Sequence, residues 1–153
     1  MTRTVRTSAK ALVVRDGRML AIRLRDRDGE FYIMPGGGQR AGELLPAAAE
    51  REVAEETGIS VKAGRLLFVI EGAEGEACHR VDLVFLCEYA GMAAADTLTD
   101  ENQVGWDWLE IRELNRLPLY PSKLRRPIMD WHSGKEVPVY LGNENMGDPE
   151  VTE

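Results

Sequence analysis

A chain of 153 residues, 44% apolar and 29% charged, has the size and balance of one globular domain with one core, expected to span residues 1–153 with the last ~10 as a tail. No apolar run approaches the ~18 residues of a membrane span, and MTRTVRTSAK at the start has cations without an apolar stretch behind them, so no membrane partner and a cytoplasmic location are expected. A formal net charge of −7 argues against a nucleic-acid polymer as partner, since such proteins carry a basic footprint.

KALVVRDGRMLAIRL places two apolar runs around Asp16-Gly17, the dipeptide of a type I′ hairpin turn, and predicts two antiparallel strands. EFYIMPGGG reads as a short strand stopped by Pro35 and a loop of three glycines. A helix follows over Leu45–Thr57, with Pro46 in its first turn and Gly58 as the left-handed residue that ends it. GRLLFVIEGAEGEACHRVDLVFLCEYAG supplies a second hairpin with an acidic tip at residues 71–76, where Glu71, Glu74 and Glu76 are expected to be solvated. A polar loop, AAADTLTDENQ, leads to the strand VGWDWLEI, in which Trp106 and Trp108 share one face and are expected to pack in the core. PSKLRRPIMDWHSG predicts a helix kinked or restarted near Pro127, with residues 123–126 paired to surface carboxylates, and VPVYL is either a final strand or an extended tail. Cys78 and Cys87 lack metal-ligand spacing and are expected to be buried, reduced thiols; His79 beside them is expected to pack rather than react. Strands first and a helix after the third predict an α/β fold: a mixed sheet with helices on both faces.

The helix poses the chemical question. At about 100° per residue, Glu52, Glu55 and Glu56 fall within about 100° of one another, on the side that also carries Leu45, Ala48 and Ala49. A solvated acidic face should lie opposite the apolar positions. Carboxylates on a packing side need neutralising, and a divalent cation with hard oxygen ligands, Mg²⁺ or Mn²⁺, does that without Cys or His; a partly solvated face is the competing reading. Gly36, Gly37 and Gly38 allow the backbone to approach a metal or phosphate at a fixed distance from the glutamates.

Together these residues resemble the Nudix box. Gly37, Glu43, Arg51, Glu52, Val53, Glu55, Glu56, Gly58 and Ile59 fill every position of that pattern, a coincidence on the order of one in ten million by background usage. The resemblance implies a Nudix-type αβα sandwich and Mg²⁺-dependent hydrolysis, with Mn²⁺ as alternative, of a nucleoside diphosphate linked to another moiety. It implies Glu52 and Glu56 as principal metal ligands, Glu55 as a further one, and a carbonyl near Gly36 or Gly37 completing the shell. Arg51 would orient the carboxylates through its fork, and Glu43 and Gly37 would support loop and helix. Glu52 is the first choice for general base and Glu101 the second. Gly38 and Arg23 are expected to touch substrate, Arg23 by neutralising phosphate.

Substrate is less defined. The proline of ADP-ribose hydrolases is missing from VIEGAEGEA, as are the tyrosine of dinucleoside polyphosphate hydrolases and the motifs of the NADH and coenzyme A branches. A nucleoside triphosphate, canonical or oxidised, is therefore the expected substrate, ahead of ADP-ribose or a nucleotide sugar. The alternatives from other classes are a nucleotide-binding module without activity, which the intact set of box glutamates disfavours, and a structural acidic helix. The resemblance is compatible with a homodimer, although no exposed seam in the sequence demands one.

Overall fold

A computed structural model describes residues 3–74, 78–93 and 102–144. Strands β1 (Thr4–Arg15) and β2 (Arg18–Asp26) meet at Asp16 and Gly17, whose φ angles of 52° and 74° form the expected turn. Only the last two residues of β1 pair with β2. From Thr4 to Val13, β1 runs parallel to β6 (Cys78–Met92), which pairs antiparallel with β5 (Ile59–Gly72) as the predicted second hairpin. β2 meanwhile pairs with β3 (Gly29–Ile33) and with β7 (Gln103–Glu110). The sheet is mixed, because β1 with β6 and β5 with the late strand Tyr140–Asn143 are parallel while the hairpins are not.

Alternation along β1 directs its residues to two cores. Ala9, Ala11 and Val13 point to helix α1 (Leu45–Thr57), where Ala48, Ala49 and Val53 are buried; Leu12 points to the other face, with Phe68, Ile70, Val84 and Ile128 of helix α2 (Arg125–His132). The result is the expected α/β sandwich, a mixed sheet with a helix on each face. Trp106 and Trp108 pack on the α1 side, the latter edge-on to Tyr89 at 6.1 Å. No helix among the described residues is long and apolar enough to cross a membrane.

Several local expectations need correction. Gly36–Gly38 is not a loop but a short strand, β4, antiparallel to Ser8, Ala9 and Lys10, because glycine permits this close edge pairing. Thr57, at the end of α1, is buried and returns its hydroxyl to the Val53 carbonyl at 2.7 Å. Glu71 belongs to β5 and holds His79 at 2.7 Å and the Tyr140 hydroxyl at 2.5 Å, contacts that keep its carboxyl below the usual range; Glu76 lies outside the described residues. The basic cluster at 123–126 is divided: Arg125 is buried, donates to the Leu119 carbonyl and lies 5.0 Å from the Tyr120 ring, whereas Lys123 donates to the Asn143 carbonyl. Cys87 is buried, with its thiol pushed up to about 12 by desolvation and by Glu50, while Cys78 is only half-buried.

Candidate active site

Helix α1 begins after Leu44 without a side-chain cap and ends at Gly58, whose φ of 76° lets its N–H reach the Ala54 carbonyl. This fixes the helix against β1 and β4, and the three glutamates emerge on the flank nearest the glycines. Glu56 Oε1 accepts the Gly36 N–H at 2.8 Å. A Cβ on Gly37 would stand 2.7 Å from the carboxyl carbon of Glu52, so only glycine leaves that carboxylate its place. Gly36, at φ 143°, has an equally strict requirement of another kind, because its Cβ would meet the Ala9 carbonyl oxygen at 2.3 Å.

Arg51 is the hub of the cluster. Its Nε and Nη2 grip Glu43 at 2.7 and 2.9 Å, its Nη1 reaches Glu52 at 2.9 Å and Glu55 at 3.2 Å, and Nη2 also donates to the Gly38 carbonyl at 3.1 Å. The forked pair with Arg51 holds the Glu43 carboxyl at about 2, helped by the Arg40 backbone N–H, and the same bonds raise Arg51 further above its ordinary range. Glu43 thereby fastens the turn at Arg40 to the helix. Arg51 facing three carboxylates, with Arg40 3.4 Å from Glu55 at the exposed side, explains how like charges tolerate such proximity, and two cations leave part of the charge of three carboxylates unmatched.

Glu43, Arg51, Glu52, Glu55, Glu56, Gly36, Gly37 and Gly38 are thus assembled in one place. Arg23 is not among them: it lies on β2 with Nη1 3.0 Å from Asp107 and Nε 3.8 Å from Glu30, its charge already matched. Glu101 lies outside the described residues. Hard oxygen donors on one helix flank suit Mg²⁺ by type. Among the described residues, however, no three acidic, His or Cys side chains stand close enough together to hold a metal ion as they are placed here.

Sequence reasoning missed a cleft of about 650 Å³ on the α2 face of the sheet, floored by Lys10, Asp82, Val84 and Ile70 and overhung by Tyr120 and Leu124. Lys10 lies directly across β1 from Gly36 and therefore joins this cleft to the carboxylate cluster. The available signal was a charged residue at an inward position of an apolar strand: Lys10 in SAKALVV and Asp82 in RVDLVFL.

The sequence profile of the NUDIX domain matches residues 4–132. An ADP-ribose pyrophosphatase of Methanocaldococcus jannaschii is 24% identical over 80% of this chain and 72% of its own length. A MutT-like protein of Streptomyces ambofaciens is 36% identical over 65% of this chain, which spans 61% of that protein. A NUDIX hydrolase structure from Nitrosomonas europaea superimposes with a TM-score of 0.72 at 21% identity, covering 89% of this chain and 94% of the other.

Proposed function

The chain belongs to the Nudix family of pyrophosphohydrolases, and we propose that it hydrolyses the pyrophosphate linkage of a nucleoside triphosphate, canonical or oxidised, with Mg²⁺. The observation that supports this most is the convergence of three carboxylates on one flank of α1, Glu56 on the Gly36 amide, Glu52 against Gly37, and Glu55 between Arg51 and Arg40. Attack of water on a phosphorus of the linkage concentrates negative charge on oxygens that are already anionic. A bound Mg²⁺ supplies charge neutralisation and an acidified water. Glu52, Glu55, Glu56 and the Gly36 carbonyl are the groups that would hold it, with Mn²⁺ as a substitute.

In this reading Glu52 takes the proton of the attacking water, with its Oε1 held by Arg51 so that the carboxylate is oriented. Glu101 is the second candidate for that base. Arg51 and Glu43 position the acids, and the backbone at Gly38, where a Cβ would stand 3.0 Å from Arg6, leaves room for substrate beside a cation. Phosphate neutralisation by Arg23 is not supported by its pairing with Asp107 and Glu30; Lys10 is better situated.

A second substrate reading, ADP-ribose, is favoured by the name of the Methanocaldococcus relative. Turnover of a panel of canonical and oxidised nucleoside triphosphates, ADP-ribose, nucleotide sugars and dinucleoside polyphosphates separates the two. Metal-dependent cleavage of triphosphates that Glu56→Gln lacks is the expected result. Preferential cleavage of ADP-ribose would replace the substrate, and nucleotide binding without cleavage would replace the enzyme with a binding module.

A further inference from the structure

Asp82 is the anomaly of the sheet. It is 3% exposed, and while its Oδ2 accepts from Arg80 at 3.2 Å, its Oδ1 is buried without a hydrogen-bond partner among the described residues. An unmade hydrogen bond to a buried carboxylate oxygen is expensive, and such groups are retained where something else supplies the donor. Asp82 lines the cleft, so a molecule entering there meets that oxygen. Arg80 does not supply the second bond, because its Nη2 is shared between Asp82 and Glu144, the latter at 2.6 Å.

The surroundings restrict what the donor can belong to. Ile33, Met34, Ile70, Val84 and Leu124 give the cleft apolar walls, and Tyr120 adds an aromatic ring at its mouth. A planar heteroaromatic base has apolar faces and places its N–H groups on one edge, which matches apolar walls beside the unpaired Asp82 oxygen, with Lys10, Arg80, Ser122 and Glu144 also lining the cleft. Position agrees as well: Gly36 pairs with Lys10, and Lys10 with Val84, so the strand bearing Asp82 is the second from Gly36, on the order of 10 Å across the sheet. A nucleoside lying over Lys10 can set its phosphates beside Gly36 and its base at Asp82.

We propose that Asp82 is the specificity-determining residue of the cleft, its Oδ1 accepting an N–H from the base of the bound nucleotide. This rests on the reading of the chain as a nucleotide hydrolase, yet it concerns base recognition, which is measurable without turnover. Asp82→Asn is the informative change: its amide oxygen would turn to the Arg80 donor and its NH₂ toward the ligand, opposing donor with donor.

Calorimetric binding of AMP, GMP, CMP and UMP is compared with ribose 5-phosphate and with the purine ribonucleotide that has no N–H on its pairing edge. The expected result is at least about tenfold tighter binding of one natural nucleotide than of both reference ligands, the scale of a charged hydrogen bond, falling to within about threefold in Asp82→Asn. Equal binding of all ligands by the wild-type protein would overturn the proposal, as would a preference that survives in a folded Asp82→Asn. Should that variant not fold, the wild-type comparison between N–H-bearing and N–H-lacking bases still decides. Base preference without hydrolysis would reject the enzyme reading and keep this one; hydrolysis without base preference would do the reverse.

Discussion

The two faces of the central sheet handle buried charge in opposite ways. On the α1 side, Glu43, Glu52, Glu55 and Glu56 each have at least one oxygen held, three of them by Arg51 and the fourth by the Gly36 amide. On the α2 side, Asp82 has a single partner in Arg80 and a second oxygen with none among the described residues. The first arrangement is held from within by Arg51 and the Gly36 amide, although its charge is only partly matched, and can be built before anything binds. The second is completed only by what enters the cleft. In the proposed function, chemistry common to every substrate is therefore assigned to α1, and discrimination between substrates to the opposite face.

The sharpest way to break this division is Glu56→Gln. Glutamine retains an oxygen for the Gly36 N–H, so the fold should persist with the melting temperature unchanged within a few degrees, while turnover of the best substrate should fall at least about hundredfold as charge stabilisation of several kcal/mol is lost. Undiminished turnover would remove Glu56 from the metal-binding set.

Arg51→Ala tests whether the cluster is as self-sufficient as it looks. Removing the side chain that touches Glu43, Glu52 and Glu55 together leaves three partly buried carboxylates facing one another, and we expect a loss of about 3 kcal/mol, read as a melting temperature roughly 6–12 °C lower. Added Mg²⁺ should restore part of that loss, because cation binding to the native state stabilises it. A variant as stable as the wild type would mean that the carboxylates are effectively solvated.

The adjacent glycines separate architecture from chemistry within three residues. Gly36→Ala brings a methyl against the Ala9 carbonyl oxygen at positive φ, neither of which can move away, and should cost about 2–3 kcal/mol of stability. Gly37→Ala meets only the end of the Glu52 side chain, so denaturant midpoints should change by less than about 1 kcal/mol while activity falls with the displaced carboxylate. If both variants lose stability equally, Gly37 is architectural too.

The same contrast explains what could be read from the chain. The bounds of α1 were legible, with Pro46 in its first turn and Gly58 at its end, because a helix places neighbours in sequence on one flank and the box residues span a single uninterrupted stretch. Gly36–Gly38 was read as a loop since pairing of β4 with β1 depends on residues nearly thirty positions earlier, which no local rule supplies. The cleft was invisible for the same reason in stronger form: Lys10, Asp82 and Tyr120 come from three distant segments, and the parallel pairing of β1 with β6 that unites two of them follows from topology, not from propensity. Arg23 drew attention as a cation near the glycines in sequence, yet β2 turns it toward β3 and β7, where Glu30 and Asp107 hold it.

The smallest effect concerns acid. Glu43 titrates at about 2 in the folded protein against the usual 4.5, chiefly through its hydrogen bonds to Arg51, so unfolding takes up a proton in the interval between those values. The stabilisation is complete above about pH 4.5 and is lost as pH falls toward 2. Glu71, lowered by Tyr140 and His79, contributes with the same sign, and overall acid sensitivity alone therefore does not isolate Glu43. Comparison of wild type with Glu43→Gln does. The difference in their urea midpoints should be constant from pH 7 to about 4.5 and should narrow below that, because protonated Glu43 and glutamine then offer Arg51 similar neutral oxygens. A difference that stays constant down to pH 2 would mean that Glu43 fastens Arg40 to the helix by shape and hydrogen bonding, with no contribution from its charge.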